Sequence, residues 1–197
     1  IFVQDSTDIL SQLATAIAIG LQAKTNVAFS VSVGTDFFIE QAKVKALRAI
    51  WSEISSQEIF IHVRSNPWIS ESFQPHSNML KSTTAAMAAI AGGCDALTIY
   101  AEQESDTNMN RIARNVSNIL REESHFNKVA DATAGSYYID ALTQEIIKQV
   151  KSKLNLESSA SSLKPQASSF TSWNSPEEIE IKSSYTKTDT QNLTHLD

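Results

Sequence analysis

Cysteine, glycine and proline are scarce in this sequence, and each shortage excludes a class of protein. The single cysteine among 197 residues, Cys94, cannot form an intrachain disulfide. Five glycines and four prolines are too few for a collagen-like or loop-dominated chain. A lone cysteine in an apolar segment is typical of a reducing compartment, so we expect a cytoplasmic location.

Concentrated positive charge and long apolar runs are also missing. The chain has 16 basic and 22 acidic residues, and its Lys and Arg residues are not clustered along the sequence, so we expect no nucleic-acid partner. The longest weakly polar run, 85–93, is about half of what a bilayer span requires, so we expect no membrane association. The chain begins with Ile1 and its start lacks the basic region of a signal peptide, which suggests a segment of a longer protein.

Short β-branched runs alternate with longer segments of helical periodicity. The predicted strands are 27–33, 59–63, 96–100 and 129–130, and the predicted helices are 6–23, a segment capped by Asp36, 77–91, 111–124 and a segment capped by Ser136. Strands that recur roughly every 30 to 35 residues with a helix between them predict parallel pairing. Half of a (β/α)8 barrel and a small doubly wound sheet both fit. The missing GxGxxG after the first strand disfavours a dinucleotide-binding sheet, and half a barrel would need a partner segment.

The same periodicity predicts which side chains are buried. We expect Phe38 and Leu80 to face the core, and Lys43 to lie outside it. We also expect Tyr137 and Tyr138 to be packing residues, one of them buried with its hydroxyl bonded.

The composition changes near residue 155, which predicts three parts. Residues 1–154 form the folded domain, and the serine-rich residues 155–169 form a flexible linker. Residues 170–197 carry only scattered anchors, such as Trp173 and Ile181, which favours an extended arm lying on another surface.

Three stretches are similar to a known enzyme family: VGTDFFIEQAKVKALRAIW (33–51), NMLKSTTAAMAAIAGGCDALTI (78–99) and RIARNVSNILREESHFNKVADATAGSYYIDALT (111–143). They resemble the adenosylcobalamin-dependent acyl-CoA mutases, most closely methylmalonyl-CoA mutases and their small, non-catalytic subunits. The resemblance covers about residues 10–145 and implies the second half of that family's CoA-binding (β/α)8 barrel. It also implies adenosylcobalamin in the assembly, with a catalytic mutase subunit and the missing barrel half as partners.

Residues 170–197 resemble a different part of the same family, the N-terminal arm that precedes the barrel in a catalytic mutase chain. The order of the two parts is therefore inverted. Three arrangements fit this order: a tandem fusion of two mutase-like units, a segment cut from such a fusion, or two polypeptides numbered continuously.

The family's CoA and substrate positions are only partly kept. Asn26 and Ala28 stand where the resemblance implies an Arg and a Ser that contact CoA. At the end of the second strand His62 and Trp68 match the family, whereas Arg64 replaces a glutamine that faces the substrate. The resemblance thus implies a degenerate substrate site at His62, Arg64 and Trp68, where acyl-CoA binds only if the site is intact.

The family's cofactor positions are also incomplete. Tyr100 and Glu104 stand where an Asn and a Glu contact the adenosyl group, so Glu104 is the one matching cofactor contact. The Tyr-His pair and the cobalt-ligating Asp-x-His-x-x-Gly motif are missing from the 197 residues. The resemblance therefore implies no catalytic residue and no metal ligand in this chain.

Each candidate side chain also has a structural interpretation. His62 can be a satisfied core or rim group, Arg64 can pair with a nearby glutamate, and Glu104 can be a solvated loop acid. Asp131 can cap a turn, and Glu122 can pair with an arginine on the same helix. Two functions stay open: a structural, non-catalytic subunit segment that serves the interconversion of methylmalonyl-CoA and succinyl-CoA, and a segment of an active acyl-CoA mutase with altered acyl specificity. A third alternative is an unrelated βα-barrel piece with a small-molecule site.

Overall fold

The chain divides into two units in the computed structural model, Ile1–Glu157 and Ser158–Asp197. The structure describes residues 1, 8–23, 26–55, 57–66, 77–126, 128–154, 172–174 and 180–182. The first unit contains α1 (Ile9–Gln22), β1 (Ala28–Val33), α2 (Phe37–Ile54), β2 (Phe60–Ser65), α3 (Ser77–Ala91), β3 (Ala96–Thr98), α4 (Thr107–Glu122) and α5 (Tyr137–Lys153). The second contains β4 (Ser172–Asn174) and β5 (Glu180–Lys182), which pair antiparallel. The predicted linker 155–169 and most of the predicted arm lie outside the described residues, so that division stays a prediction.

Three parallel strands form the sheet of the first unit, in the order β1-β2-β3. β1 pairs with β2 along its whole length, and β2 pairs with β3 over residues 62–64. On the other edge of β1, the ammonium group of Ile1 donates to the Ala28 carbonyl, and the Ile1 carbonyl accepts from the Ser30 N–H. The predicted α/β class with parallel strands is therefore confirmed.

Local capping signals decide where several helices begin. The Asp8 carboxylate accepts from the Leu10 N–H at 3.1 Å, so α1 starts three residues later than its periodicity predicts. Asp106 does the same for α4 by accepting from the Asn108 N–H at 2.7 Å. Before α5, Gly135 has φ +82°, a conformation that glycine adopts without steric cost, and the chain turns there into the helix.

The core lies where α1, α2 and α5 pack together with the sheet. Its largest fully buried side chains include Trp51, Phe29 and Leu13. The rings of Phe29 and Trp51 meet edge to face with centroids 5.0 Å apart, and Gly20 of α1 lies against both. A separate small cluster beneath α4 contains Ala86 and Val116. No helix among the described residues is long and apolar enough to cross a bilayer.

The burial of several large side chains was predicted wrongly. Phe38 is 52% exposed and Leu80 is 70% exposed, although both fall in apolar patterns. Tyr137 and Tyr138 are both exposed rather than one of them buried. Periodicity identifies an apolar stripe but not how far the neighbouring layer extends over it, and all four residues lie in the first turn of α2, α3 or α5.

Lys43 was expected outside the core but is only 2% exposed. Its ammonium group donates to the Ser32 carbonyl at 2.6 Å and pairs with the Glu40 carboxylate one turn earlier on α2. A buried charge is tolerated when it is paired and hydrogen-bonded, and here both partners are supplied. Helical spacing alone could not predict this, because the Ser32 carbonyl belongs to β1.

The predicted fourth strand at Val129 and Ala130 is not found, because both residues lie in an exposed bend. The segment is held against α2 instead. Lys45 Nζ lies 2.8 Å from each carboxylate oxygen of Asp131 and 2.7 Å from Thr133 Oγ1. A two-residue strand gains at most a few hydrogen bonds from pairing with a sheet. The contact with Lys45 is enough to hold the segment against α2 instead.

Candidate functional site

His62 lies in the middle of the sheet and connects all three strands. It is opposite Ser30 of β1 and Ala96 of β3 in register. Its Nδ1 lies 2.8 Å from Ser30 Oγ, and its Nε2 lies 2.8 Å from Thr98 Oγ1. A neutral imidazole has one donor and one acceptor nitrogen, and a hydroxyl can take either role, so both contacts are hydrogen bonds in either tautomer.

Arg64 projects from the same face of β2 as His62, because successive side chains of a strand alternate between faces. It is half-buried and stands opposite Ser32 and Thr98 in register. Burial, followed by the charge of Arg64, holds the pKa of His62 below its ordinary value of 6.5. The imidazole is therefore mainly neutral near pH 7, which suits hydrogen bonding to two hydroxyls.

Two other candidates from the sequence, Glu104 and Asp131, are not brought into this group. Glu104 lies exposed in the loop between β3 and α4, where its main-chain carbonyl accepts from Asn110 Nδ2 at 2.6 Å. Trp68 lies outside the described residues. Asp131 caps a turn by accepting from the Thr133 N–H at 3.0 Å, which confirms the structural interpretation.

Two other predicted contacts can be compared with the structure. Glu122 pairs with Arg121 at 2.7 Å, as the structural interpretation expects, and both side chains are more than 60% exposed. Of the two glutamates expected as partners of Arg64, Glu53 pairs instead with Lys151 at 2.6 Å, and Glu71 lies outside the described residues. Exposed pairs of the first kind contribute little to stability.

Sequence reasoning missed the groups that hold His62. Ser30 and Thr98 lie 32 and 36 residues away from it, and only the strand register brings their hydroxyls to the ring. The alternation of Ser30 and Ser32 with buried valines along β1 was a usable signal, because it marks a polar face on this strand. A cleft of about 730 Å³, lined among others by Lys45 and Cys94, was also not foreseen, although the candidate residue Asp131 is part of its lining.

Of the two described histidines, His62 does not fit a cobalt ligand. No group of three or more His, Cys, Asp or Glu side chains among them is arranged to hold a metal ion. Both ring nitrogens of His62 are hydrogen-bonded within the sheet, and His125 is exposed with φ +53°. His76 and His195 lie outside the described residues. No step through cobalamin is therefore derived from this chain.

The comparisons with known proteins agree on one family. A family model described as methylmalonyl-CoA mutase matches residues 10–158. The methylmalonyl-CoA mutase small subunit of Porphyromonas gingivalis is 35% identical over 136 residues, which cover 62% of this chain and 22% of that protein. The methylmalonyl-CoA mutase of Escherichia coli is 32% identical over 160 residues, 73% of this chain and 22% of that protein.

A mammalian relative gives the same result. The mitochondrial methylmalonyl-CoA mutase of Bos taurus is 32% identical over 133 residues, 60% of this chain and 18% of that protein. The chain therefore spans about a fifth of the length of these curated relatives. Because the family match covers most of the described α/β unit and agrees with its parallel β/α order, the chain belongs to the methylmalonyl-CoA mutase family.

Proposed function

We propose that this chain is a segment of a methylmalonyl-CoA mutase and has a structural, non-catalytic subunit role. The observation that carries the proposal is the position of His62. Its two ring nitrogens are taken up by Ser30 and Thr98, so this histidine joins strands and offers no free nitrogen to a substrate. It acts as a structural bridge at a position that matches the family's active chains.

The neighbouring positions support the same proposal. Asn26 and Ala28 are exposed at the start of β1 and carry neither the cation nor the hydroxyl of the family pattern. A neutral amide lacks the charge-assisted hydrogen bond with which arginine holds a phosphate. CoA phosphate therefore loses its strongest partner on this side of the sheet.

The rest of the assembly follows from this role. We infer that β1, β2 and β3 belong to the second half of a (β/α)8 barrel, that the missing half closes it, and that residues 155–169 and 170–197 are a linker and an arm. A catalytic mutase subunit is the partner, and it holds the adenosylcobalamin that supplies radical chemistry for interconverting methylmalonyl-CoA and succinyl-CoA. The half-buried free thiol of Cys94 agrees with a reducing, cytoplasmic setting.

Arg64 favours a second candidate function. Its half-buried guanidinium lies beside His62. A guanidinium binds a carboxylate of an acyl group more strongly than the family's glutamine does at this position. In this alternative the chain belongs to an active acyl-CoA mutase with altered acyl specificity, and Arg64 selects the acyl group. Acyl-CoA then binds on the face that carries His62.

Titration calorimetry of the full assembly separates the two candidates. The polypeptide that carries this chain is purified with its catalytic subunit and titrated with methylmalonyl-CoA. The structural role predicts one CoA site per pair of subunits, and it predicts that Arg64→Gln changes neither the stoichiometry nor the turnover. A second site that is lost in Arg64→Gln contradicts the structural role and supports altered specificity. Loss of the single site in Arg64→Gln also contradicts it.

A further inference from the structure

Large aromatic side chains are exposed together where α2 and α5 begin. Phe38 is 52% exposed, Tyr138 is 61% exposed and Tyr137 is 92% exposed. The ring of Phe38 meets that of Tyr138 edge to face, with centroids 5.5 Å apart, and meets that of Phe37 in the same way at 5.4 Å. We call these four side chains the aromatic patch.

The size of the aromatic patch sets it apart from scattered surface apolar residues. At about 200 Å² for a whole aromatic side chain, the three exposed fractions correspond to on the order of 400 Å². The largest apolar patch of a typical monomeric protein is about 300–600 Å² and often has a function. The patch is therefore large enough to bind a partner.

The aromatic patch is presented on a rigid base. Ile139 follows Tyr138 directly and is only 2% exposed, and further along α5 Val150 lies in the same buried core as Leu47 of α2. The first turn of each helix is closed by a main-chain hydrogen bond of 2.9 Å to its N-cap carbonyl, that of Asp36 or of Ser136. A surface that is ordered before binding loses little conformational entropy when a partner arrives.

The charged residues nearest to the aromatic patch along the chain are acidic. Asp36 and Asp140 are exposed beside it, and no Lys or Arg occurs within residues 34–42 or 135–142. The carboxylate of Glu40 is already paired with Lys43. Each helix N-terminus contributes roughly half a positive charge, so two carboxylates at two N-termini leave about one negative charge. Phosphate groups and anionic membranes are disfavoured, and a cation is favoured.

We propose that the aromatic patch docks a partner protein through an arginine side chain that the partner presents among apolar residues. A guanidinium group stacks on aromatic rings and pairs with carboxylates in a planar arrangement, so it matches both the rings and the acids found here. Tyr, Phe and Arg are also enriched at protein interfaces. The proposal goes beyond the mutase role, because it needs neither CoA nor cobalamin.

The test uses the whole polypeptide that carries this chain and acetyl-Arg-Arg-amide as the probe, and it records NMR spectra of the tyrosine ring protons. We expect saturable shifts at Tyr137 and Tyr138, a several-fold weaker effect with acetyl-Lys-Lys-amide, and none with acetyl-Glu-Glu-amide. Affinity for the arginine probe should fall about tenfold in Phe38→Ala/Tyr138→Ala and by less in Asp140→Asn. Leu80→Ala, a matched exposed apolar residue on α3, should leave it unchanged.

The opposite results overturn the proposal in distinct ways. Equal shifts with the arginine and glutamate probes contradict recognition of arginine by the patch. So does an affinity for the arginine probe that is the same in Phe38→Ala/Tyr138→Ala as in the parent chain. Concentration-dependent self-association that disappears in this variant assigns the patch to a second copy of the chain instead. Binding to phosphatidylserine vesicles assigns it to a membrane. Because these side chains are exposed, the variant should keep its circular dichroism spectrum, and Tyr137→Ser provides a milder second variant with the same expected direction.

Discussion

Replacing His62 by alanine tests whether its imidazole is a structural bridge between strands. The change leaves Ser30, which is 7% exposed, without the partner of its hydroxyl, whereas water can replace the bond to the exposed Thr98. An unpaired buried hydroxyl costs about 1–3 kcal/mol, and a solvated one costs close to nothing. We therefore expect His62→Ala to lower the free energy of unfolding by about 1–3 kcal/mol, mostly through Ser30.

Double-mutant cycles measured by denaturant unfolding check this assignment. Ser30→Ala removes the hydroxyl that His62→Ala would strand, so the two changes together should cost about 1 kcal/mol less than the sum of the single changes. Thr98→Ala combined with His62→Ala should be additive, because its hydroxyl is solvated. Additive costs for the Ser30 cycle would refute the bridge.

The same variant should lose a pH dependence. The pKa of His62 is held below 6.5 by burial and by Arg64, so between the lowered pKa and 6.5 the unfolded chain binds more protons than the folded chain. The contribution of His62 to stability is therefore fully present above 6.5 and is lost as the pH falls through this interval. Thermal unfolding at a series of pH values should show a weaker acid-side decline in His62→Ala than in the parent chain. Equal declines contradict the assignment.

Three further predictions concern the core, the segment held by α2 and the thiol. Gly20→Ala places a methyl carbon 2.8 Å from the Trp51 ring. Although alanine favours the helix by about 1 kcal/mol, the free energy of unfolding should fall by about 1–3 kcal/mol in total. Lys45→Met removes three hydrogen bonds to the segment 128–134. Amide hydrogen exchange in this segment should become about fivefold faster, which corresponds to about 1 kcal/mol in the free energy of local opening. Burial and the neighbouring acid raise the pKa of Cys94 to about 11, so its alkylation at neutral pH should be slow and should increase about tenfold per pH unit.

Matched controls make these three measurements decisive. Thr15→Ala changes an exposed residue of α1 and should keep or slightly raise stability, so a Gly20→Ala variant that behaves the same way contradicts the tight packing. Lys148→Met removes an exposed lysine of α5, and exchange in 128–134 that responds equally to it contradicts the role of Lys45. A Cys94 thiol that reacts at pH 7 as fast as free cysteine contradicts the raised pKa.

The sequence by itself determined the class of fold and the family. Strand and helix periods are local properties, and Val31, Val33, Ile61 and Val63 alternate along β1 and β2 in the chain as they do in the buried sheet. The specific stretches within 33–143 were enough to suggest the mutase family, and the family match over residues 10–158 agrees with them. His62 could be named as a candidate for the same reason, because it sits in a recognisable motif.

Tertiary structure decided the contacts and the exposure that local patterns do not contain. The hydroxyl partners of His62 depend on the parallel register of three strands, and the burial of Lys43 depends on a carbonyl of β1 that its own helix does not reveal. The bend at Val129 is fixed by Asp131 binding α2, over a separation of 86 residues. Periodicity specifies which faces of the elements are apolar. Only the packing of one element on another decides which apolar residues, such as Phe38, are left at the surface for a partner.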